Sequence, residues 1–388
     1  NTATSSTALT VTIDSTIVAP TGLALASGSD SGASASDGIT NVVAPTVTGT
    51  AEANSVVTLY DGTGVVGSGT ADGSGVWSIT SATLGSGGHT LTATAVDVAG
   101  NSSTASSGLT VTIDSTIVAP TGLALASGSD SGASASDRLT NVVAPTVTGT
   151  AEANSVVTLY DGISAVGSAT TNGSGVWSIT SATLGSGGHT LTATAVDVAG
   201  NSSTASSGLT VTIDSTIAAP TGLALASGSD SGASSSDRIT NVAAPTVTGT
   251  AEANSVVTLY DGTGVVGSAT ANGSGVWSIT SATLGSGGHT LTARAVDVAG
   301  NSSTASTGLT VTIDSTTTAP TGLALASGSD SGASASDGIT NVAAPAVTGT
   351  AEANSVVTLY DGTSVVGSGT ANGSGVWSIT SSALGSGG

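Results

Sequence analysis

The chain of 388 residues has no Cys, no Met and no Phe, and its three basic residues are Arg138, Arg238 and Arg294. Each absence removes a class of function. Without Cys there are no disulfides and no thiolate metal sites, so nothing covalent reinforces the fold. With a formal net charge of −21 and no Lys, no basic patch is available for nucleic acid or an anionic lipid surface. Long apolar runs are missing too. No stretch has membrane-spanning length, and no basic n-region followed by an apolar core appears within these residues.

What is present is repetition. The segment Leu109-Thr-Val-Thr-Ile-Asp-Ser-Thr116 recurs from Leu9, Leu209 and Leu309, and the residues between its copies repeat with it. An internal period of this kind decides the architecture before any local pattern is read. The expected domains are 17–116, 117–216, 217–316 and a shorter 317–388, with 1–16 as the last strand and linker of a preceding unit. Both ends then fall inside a unit, which is the expectation for a window of a longer array. A unit of this length holds one small core, so the chain is expected to be beads in series rather than one large body.

Gly (56 residues), Ser, Thr and Ala dominate, a composition that alone points to disorder. The regular placing of Val, Leu, Ile and Trp argues the other way. Apolar and small polar residues alternate between Gly, Pro, Asn and Asp breaks, which predicts strands over 21–26, 46–52, 55–61, 65–71, 75–82, 90–97 and 108–113, and no helix. Seven short strands in about 100 residues is the pattern of an immunoglobulin-like sandwich. The fold expected is therefore all-β, a tandem array of seven-stranded immunoglobulin-like β-sandwiches. Alternation turns Leu23, Leu25, Val47, Val57, Leu59, Trp77, Ile79, Leu91, Ala93, Ala95, Leu109, Val111 and Ile113 inward. That is a thin core, which bound metal or neighbour contacts would reinforce.

The connection from Ser27 to Pro45 is too long for a simple turn and carries Asp30, Asp37 and Asn41 with no cation to pair them. In a sandwich every strand crosses the domain, so successive loops alternate between its two ends. At the first junction this places Asp30, Asp37, Asn41 and Asp114 of one unit opposite Glu152, Asp197 and Asn201 of the next. Crowded carboxylates repel, and with so few basic residues a hard divalent cation is the available neutraliser. Ca²⁺ suits an all-oxygen donor set that is not octahedral. The alternative is that these are solvated turn residues, because Asp and Asn favour turns and acids keep repeats soluble. The candidate metal ligands run through the chain as Asp14, Asp30, Asp37, Asn41, Glu52, Asp97, Asn101 and Asp114; then Asp130, Asp137, Asn141, Glu152, Asp197, Asn201 and Asp214; then Asp230, Asp237, Asn241, Glu252, Asp297, Asn301 and Asp314; and finally Asp330, Asp337, Asn341 and Glu352. Asp61, in an Asp-Gly turn, is read as a turn residue. The spacing matches neither an EF-hand loop nor a glycine-rich nonapeptide repeat, so such a site is assembled from separate loops.

Other signals are weaker. Gly62-Thr-Gly64-Val-Val-Gly67 has dinucleotide-loop spacing but no helix follows, and Ser164 and Ser364 replace its middle glycine. His89, His189 and His289 stand without a second His or Cys, so they are read as structural. No Ser/His/Asp arrangement stands out from the repetition, and no catalytic residue is assigned. Asn101-Ser-Ser and Asn172-Gly-Ser match a glycosylation sequon.

Pro45-Thr-Val-Thr-Gly-Thr-Ala-Glu-Ala-Asn54, Val57-Thr-Leu-Tyr-Asp-Gly62, Gly75-Val-Trp-Ser78, His89-Thr-Leu-Thr-Ala93 and Ala95-Val-Asp-Val-Ala-Gly-Asn101 resemble the bacterial Ig-like repeats of giant, type I-secreted surface adhesins. The resemblance implies extender arrays between a membrane-retained end and a distal binding end, with Ca²⁺ at domain junctions. It marks Asp30, Asp37, Glu52, Asp97, Asp114 and their equivalents as ligands. The resulting expectation is a non-enzymatic stalk on the cell surface or outside it, serving adhesion and biofilm formation, with neighbouring repeats of the same chain as partners. At ~3.3 Å per strand residue a unit spans on the order of 40 Å, and the array about 150 Å. Two rivals remain open: a filament or sheath subunit that self-associates, and a carbohydrate-binding module with Tyr60 and its equivalents as its aromatic surface.

Overall fold

The computed structural model describes residues 7–232 and 234–387. Two compact units divide the chain: Asn1–Thr216 with Asp297–Asn301, and Ile217–Val296 with Ser302–Gly388.

In the first unit the leading sandwich is built from Thr21–Leu25 (β1), Ile39–Thr40 (β2), Thr46–Thr50 (β3), Val56–Asp61 (β4), Gly64–Thr70 (β5), Val76–Thr80 (β6), Gly87–Val96 (β7) and Leu109–Ile113 (β8). One layer has the order β1-β3-β6, the other β2-β8-β7-β4-β5. Pairing is antiparallel except for β2 on β8, where Ile39 and Thr40 lie beside Thr112 and Ile113. The two-residue β2 joins the seven strands expected from alternation. It is too short to show any period, and only its place beside β8 makes it a strand. The same eight strands recur from Thr121–Leu125 to Leu209–Ile213.

Alternation works because each strand has one face on the core. Val47, Val57, Leu59, Trp77, Ile79, Leu91, Ala93, Ala95, Val111 and Ile113 are buried between the layers, joined by Ala71 and Leu84 from the connections. Leu23, Leu25 and Leu109, expected inside, are only partly buried, since they pack at the margin of the sandwich. Trp77 lies across β3 at Gly49, its registered partner, where an added Cβ would come within 2.5 Å of the indole Cζ2. A glycine is needed there because the indole occupies the volume a side chain would take. Among the described residues the Trp77 indole N–H is buried without an acceptor.

In the second unit the strands from Thr221–Leu225 to Leu309–Ile313 repeat the eight-stranded sandwich. The residues after them form a three-stranded layer and the Val356–Asp361 and Ser364–Thr370 hairpin. Their core is reduced to Val357, Ala371, Trp377 and Ile379, and Leu323 and Tyr360 are largely exposed.

One expectation is corrected. Leu9–Ile13 has the sequence of β8, yet it forms no strand, and Leu9 and Ile13 are 86% and 89% exposed. β8 is held between β7 and β2, whereas among the described residues Leu9–Ile13 pairs with no strand. Residues 1–6, the remainder of that expected segment, lie outside the described residues.

Candidate metal centre

Asp114 directly follows β8, and its N–H donates to Thr40 O at 2.9 Å. Glu152 opens the turn after the second repeat's counterpart of β3, where Ser155 N and Oγ donate to its backbone carbonyl at 3.3 and 2.7 Å. Asp197 follows the counterpart of β7 and starts the tight turn Asp197-Val-Ala-Gly-Asn201. Three elements far apart in sequence thus end at one place. A carboxylate oxygen from each of Asp114, Glu152 and Asp197 lies within 4.8 Å of the others. Asp14, Glu52 and Asp97 form the same group one repeat earlier.

Asn201 orders this group. Its side-chain N–H donors reach Asp197 Oδ2 at 2.7 Å and the Asp114 carbonyl at 2.8 Å, while its backbone N–H donates to Asp197 Oδ1 at 2.8 Å. Asn101 does the same for Asp97 and the carbonyl of Asp14, at 2.6 and 3.2 Å. Asn301 spans Asp297 and the carbonyl of Asp214, at 2.7 and 2.8 Å. Asp197 is buried, and its anion is met by these N–H groups. The Asn101 side chain, ahead of the turn's backbone donors, holds the Asp97 carboxyl below the usual carboxylate range. Glu152 shifts the other way. Burial comes first, then the negative charges of Asp114 and Asp197, and together they raise its carboxyl above its ordinary value. Burial and neighbouring anions both disfavour the charged form of a carboxyl group.

The acids of the long loop do not join the group. Asp30 Oδ2 accepts from Gly38 N at 3.2 Å and Asp37 Oδ1 from Ile39 N at 3.0 Å, so both brace their own loop. Asp130, Asp230 and Asp330 repeat the first bond, and Asp137, Asp237 and Asp337 the second. Asn41 Oδ1 is 2.8 Å from Ser31 Oγ, and Asn141, Asn241 and Asn341 meet Ser131, Ser231 and Ser331 in the same way. Loop alternation places these residues at that end of the sandwich, but one oxygen of each aspartate accepts from a backbone N–H of its own loop, in an Asx turn at Asp37 and across the loop at Asp30. Among the described residues Asp30 Oδ1 is buried without a hydrogen-bond partner. Asp314 repeats the backbone bond of Asp114, its N–H meeting Thr240 O at 2.8 Å; the backbone carbonyls of Glu252 and Glu352 cap their turns as that of Glu152 does.

The sequence reading missed one pair. His89 Nδ1 lies 2.7 Å from Asp61 Oδ2 and Nε2 2.7 Å from Gly85 O, and His189 and His289 repeat this with Asp161 and Asp261. A carboxylate and a carbonyl accept, so this geometry favours the doubly protonated ring. The Gly85 carbonyl and then Asp61 raise the His89 pKa, whereas at His189 and His289 the aspartate is the larger cause. Asp61 ends β4 beside β7, which carries His89 near its start, and it is this strand pairing that joins the two residues. Of the four tyrosines the carbohydrate reading requires, Tyr60, Tyr160 and Tyr260 are partly buried and Tyr360 is exposed.

Among the described residues no helix is long and apolar enough to cross a membrane. The sequence matches the family model described as bacterial Ig-like domain over residues 16–115, 116–215, 216–315 and 316–388. No curated protein sequence matches it. A solved structure of the tetra-tandem repeat in the extending region of a large adhesion protein is similar at 23% identity, over 90% of this chain and 90% of that one, with a TM-score of 0.33. Another, from a 1.5-MDa bacterial ice-binding adhesin, shares 19% identity over 71% of this chain and 93% of its own, also at 0.33. Fibronectin(III)-like modules of Clostridium thermocellum CbhA share 18% over 45% and 87%, at 0.27.

Proposed function

Since the chain belongs to the bacterial Ig-like domain family, we propose that it is a non-enzymatic extender, the stalk of a secreted or cell-surface bacterial adhesin stiffened by Ca²⁺ where its repeats join. The domains are set at 17–116, 117–216, 217–316 and 317–388, with residues up to 16 belonging to a preceding repeat. The observation that carries the metal part is the group Asp114, Glu152 and Asp197, which joins the exit of one repeat to two loops of the next.

Its donors are hard oxygens and, among the described residues, no basic side chain pairs with them, the chemistry Ca²⁺ takes and softer metals do not. Asp114, Glu152 and Asp197 would hold the ion, as would Asp14, Glu52 and Asp97 one repeat earlier. Asn201 and Asn101 orient the buried aspartates. When bound, the cation supplies the positive charge that lets three anions share one place.

Extracellular Ca²⁺ modules bind with Kd of about 10⁻⁴ to 10⁻³ M, so such sites are empty in a cytosol and filled outside the cell. A ligand that binds only the assembled junction stabilises it by mass action. The stalk would then stay loose for export and stiffen on arrival, projecting a distal binding domain in adhesion and biofilm formation. Small-angle X-ray scattering of the whole chain tests this. The maximum dimension in millimolar Ca²⁺ is expected to exceed that after chelation, and superimposable profiles would overturn the calcium reading.

A further inference from the structure

Cation binding does not use every contact at the junction. The long loop of the first repeat also touches the second, through groups that no metal needs. Ser31 Oγ lies 2.7 Å from Ala199 O, and Ala33 N donates to Val198 O at 3.1 Å. Gly32 sits between them with φ +93, and a Cβ there would overlap Val198 O. The opposing residue is Gly200, where a Cβ would come within 3.0 Å of Gly32 Cα and 3.6 Å of Asn41 Nδ2. Two glycines face each other because the backbones meet directly.

The seat is built from within its own repeat. Ser31 Oγ accepts from Asn41 N at 2.8 Å and is 3.0 Å from Thr40 Oγ1, and Thr40 lies in β2 on the edge of the sheet. The seat is therefore tied to the body of the repeat rather than to a loose loop. The arrangement recurs: Ser131 Oγ is 2.9 Å from Ala299 O, Ala133 N is 3.0 Å from Val298 O, and Gly132 has φ +93. All of these residues belong to the first unit.

We infer that the Ser31-Gly32-Ala33 loop is a docking surface for the Val198-Ala199-Gly200 turn of the next repeat, a backbone lock that fixes the junction without metal. This deepens the extender reading, on which it rests for its purpose but not for its contacts. Asp197 and Asn201 flank the docked turn, so the lock holds one member of the acidic group and the asparagine that orients it in position before any cation arrives. Chelation would then soften the junction without freeing it. The length of the loop from Ser27 to Pro45 also gains a reason, since a short turn could not present this surface.

Because the chain has no Cys, a pair of spin labels can be placed without background. T63C and I163C put them on equivalent exposed turns of the first two repeats, and the full chain is used. Distance distributions between the labels are recorded in millimolar Ca²⁺ and in chelator, for the labelled parent, for Gly32→Ala and for Gly132→Ala. The last carries the same backbone strain one repeat further on, with the lock between the labels intact. The parent is expected to give its narrowest peak in Ca²⁺ and a broader single peak in chelator. Gly32→Ala in chelator is expected to lose the single peak, and Gly132→Ala to behave as the parent does. Equal distributions for Gly32→Ala and the parent in chelator would overturn the lock, as would equal broadening by Gly132→Ala. Identical parent distributions with and without Ca²⁺ would refute the calcium reading and leave the lock standing.

Discussion

Replacing Glu152 by Gln should change stability in opposite directions depending on Ca²⁺. The substitution keeps the backbone carbonyl that caps the turn through Ser155 and Thr171 and removes only charge. The Glu152 carboxylate faces Asp114 and Asp197 with ligand oxygens within 4.8 Å. At that separation a pair of unit charges repels by about 1 kcal/mol in water and by about 3 kcal/mol at an effective dielectric constant near 20. Partial exposure favours the lower figure, so removing two repulsions should stabilise the chelated junction by about 1–2 kcal/mol. For a domain of this size that is on the order of 4–8 °C in midpoint per kcal/mol. In Ca²⁺ the sign reverses, because the variant has lost a charged ligand. The assay is thermal unfolding of the full chain by circular dichroism, in chelator and in millimolar Ca²⁺, beside a calorimetric Ca²⁺ titration. A lower midpoint for E152Q in chelator would refute the reasoning, and so would an unaltered response to Ca²⁺. Acidification is an independent check. Where folding raises a carboxyl pKa, the native state binds protons the unfolded chain does not, so this site's contribution to stability falls as pH rises through that range. Parent protein in chelator should therefore gain stability from Glu152 on mild acidification, and E152Q should lose that gain.

Three further outcomes are expected. The clamps at His89, His189 and His289 contribute stability that is fully present below the ordinary imidazole pKa of 6.5 and is lost as pH rises through the raised folded value. Proton NMR titration of the native chain should find three imidazoles titrating above 6.5, and values at or below it would dismiss the two-proton reading. Gly149→Ala drives a Cβ to 2.5 Å from Trp177 Cζ2 and should destabilise that repeat by about 1–3 kcal/mol, seen as an earlier unfolding step; an unchanged denaturation profile would contradict the packing described. Asn201→Ala removes the donors that orient Asp197 and hold the Asp114 carbonyl, so Ca²⁺ affinity at that site should fall about 10-fold or more by calorimetry, and parental affinity would show that the asparagine does not organise the donors.

Repeats, strand alternation and the lack of basic residues are properties of the chain itself, and they sufficed for the all-β tandem architecture and for the inward set around Trp77. Loop alternation also located Asp114, Glu152 and Asp197 at one end, since it needs only that each strand cross the sandwich. What remained illegible depends on distances between residues remote in sequence. β2 exists only because β8 lies beside it. Ala71 and Leu84 are buried because the layers close over the connections that carry them. Asp30 and Asp37 share the composition of a metal site, yet a hydrogen bond within their own loop was the nearer use for each carboxylate, and only three-dimensional placement tells the two apart. Asp61 likewise read as a turn residue until the pairing of β4 with β7 brought it to His89. Composition and period determined what kind of object this chain is, because they express how a backbone satisfies its own hydrogen bonds and hides its apolar face. Which oxygens meet, and which glycine lets two backbones touch, was decided by packing, where angstroms separate a turn cap from a ligand.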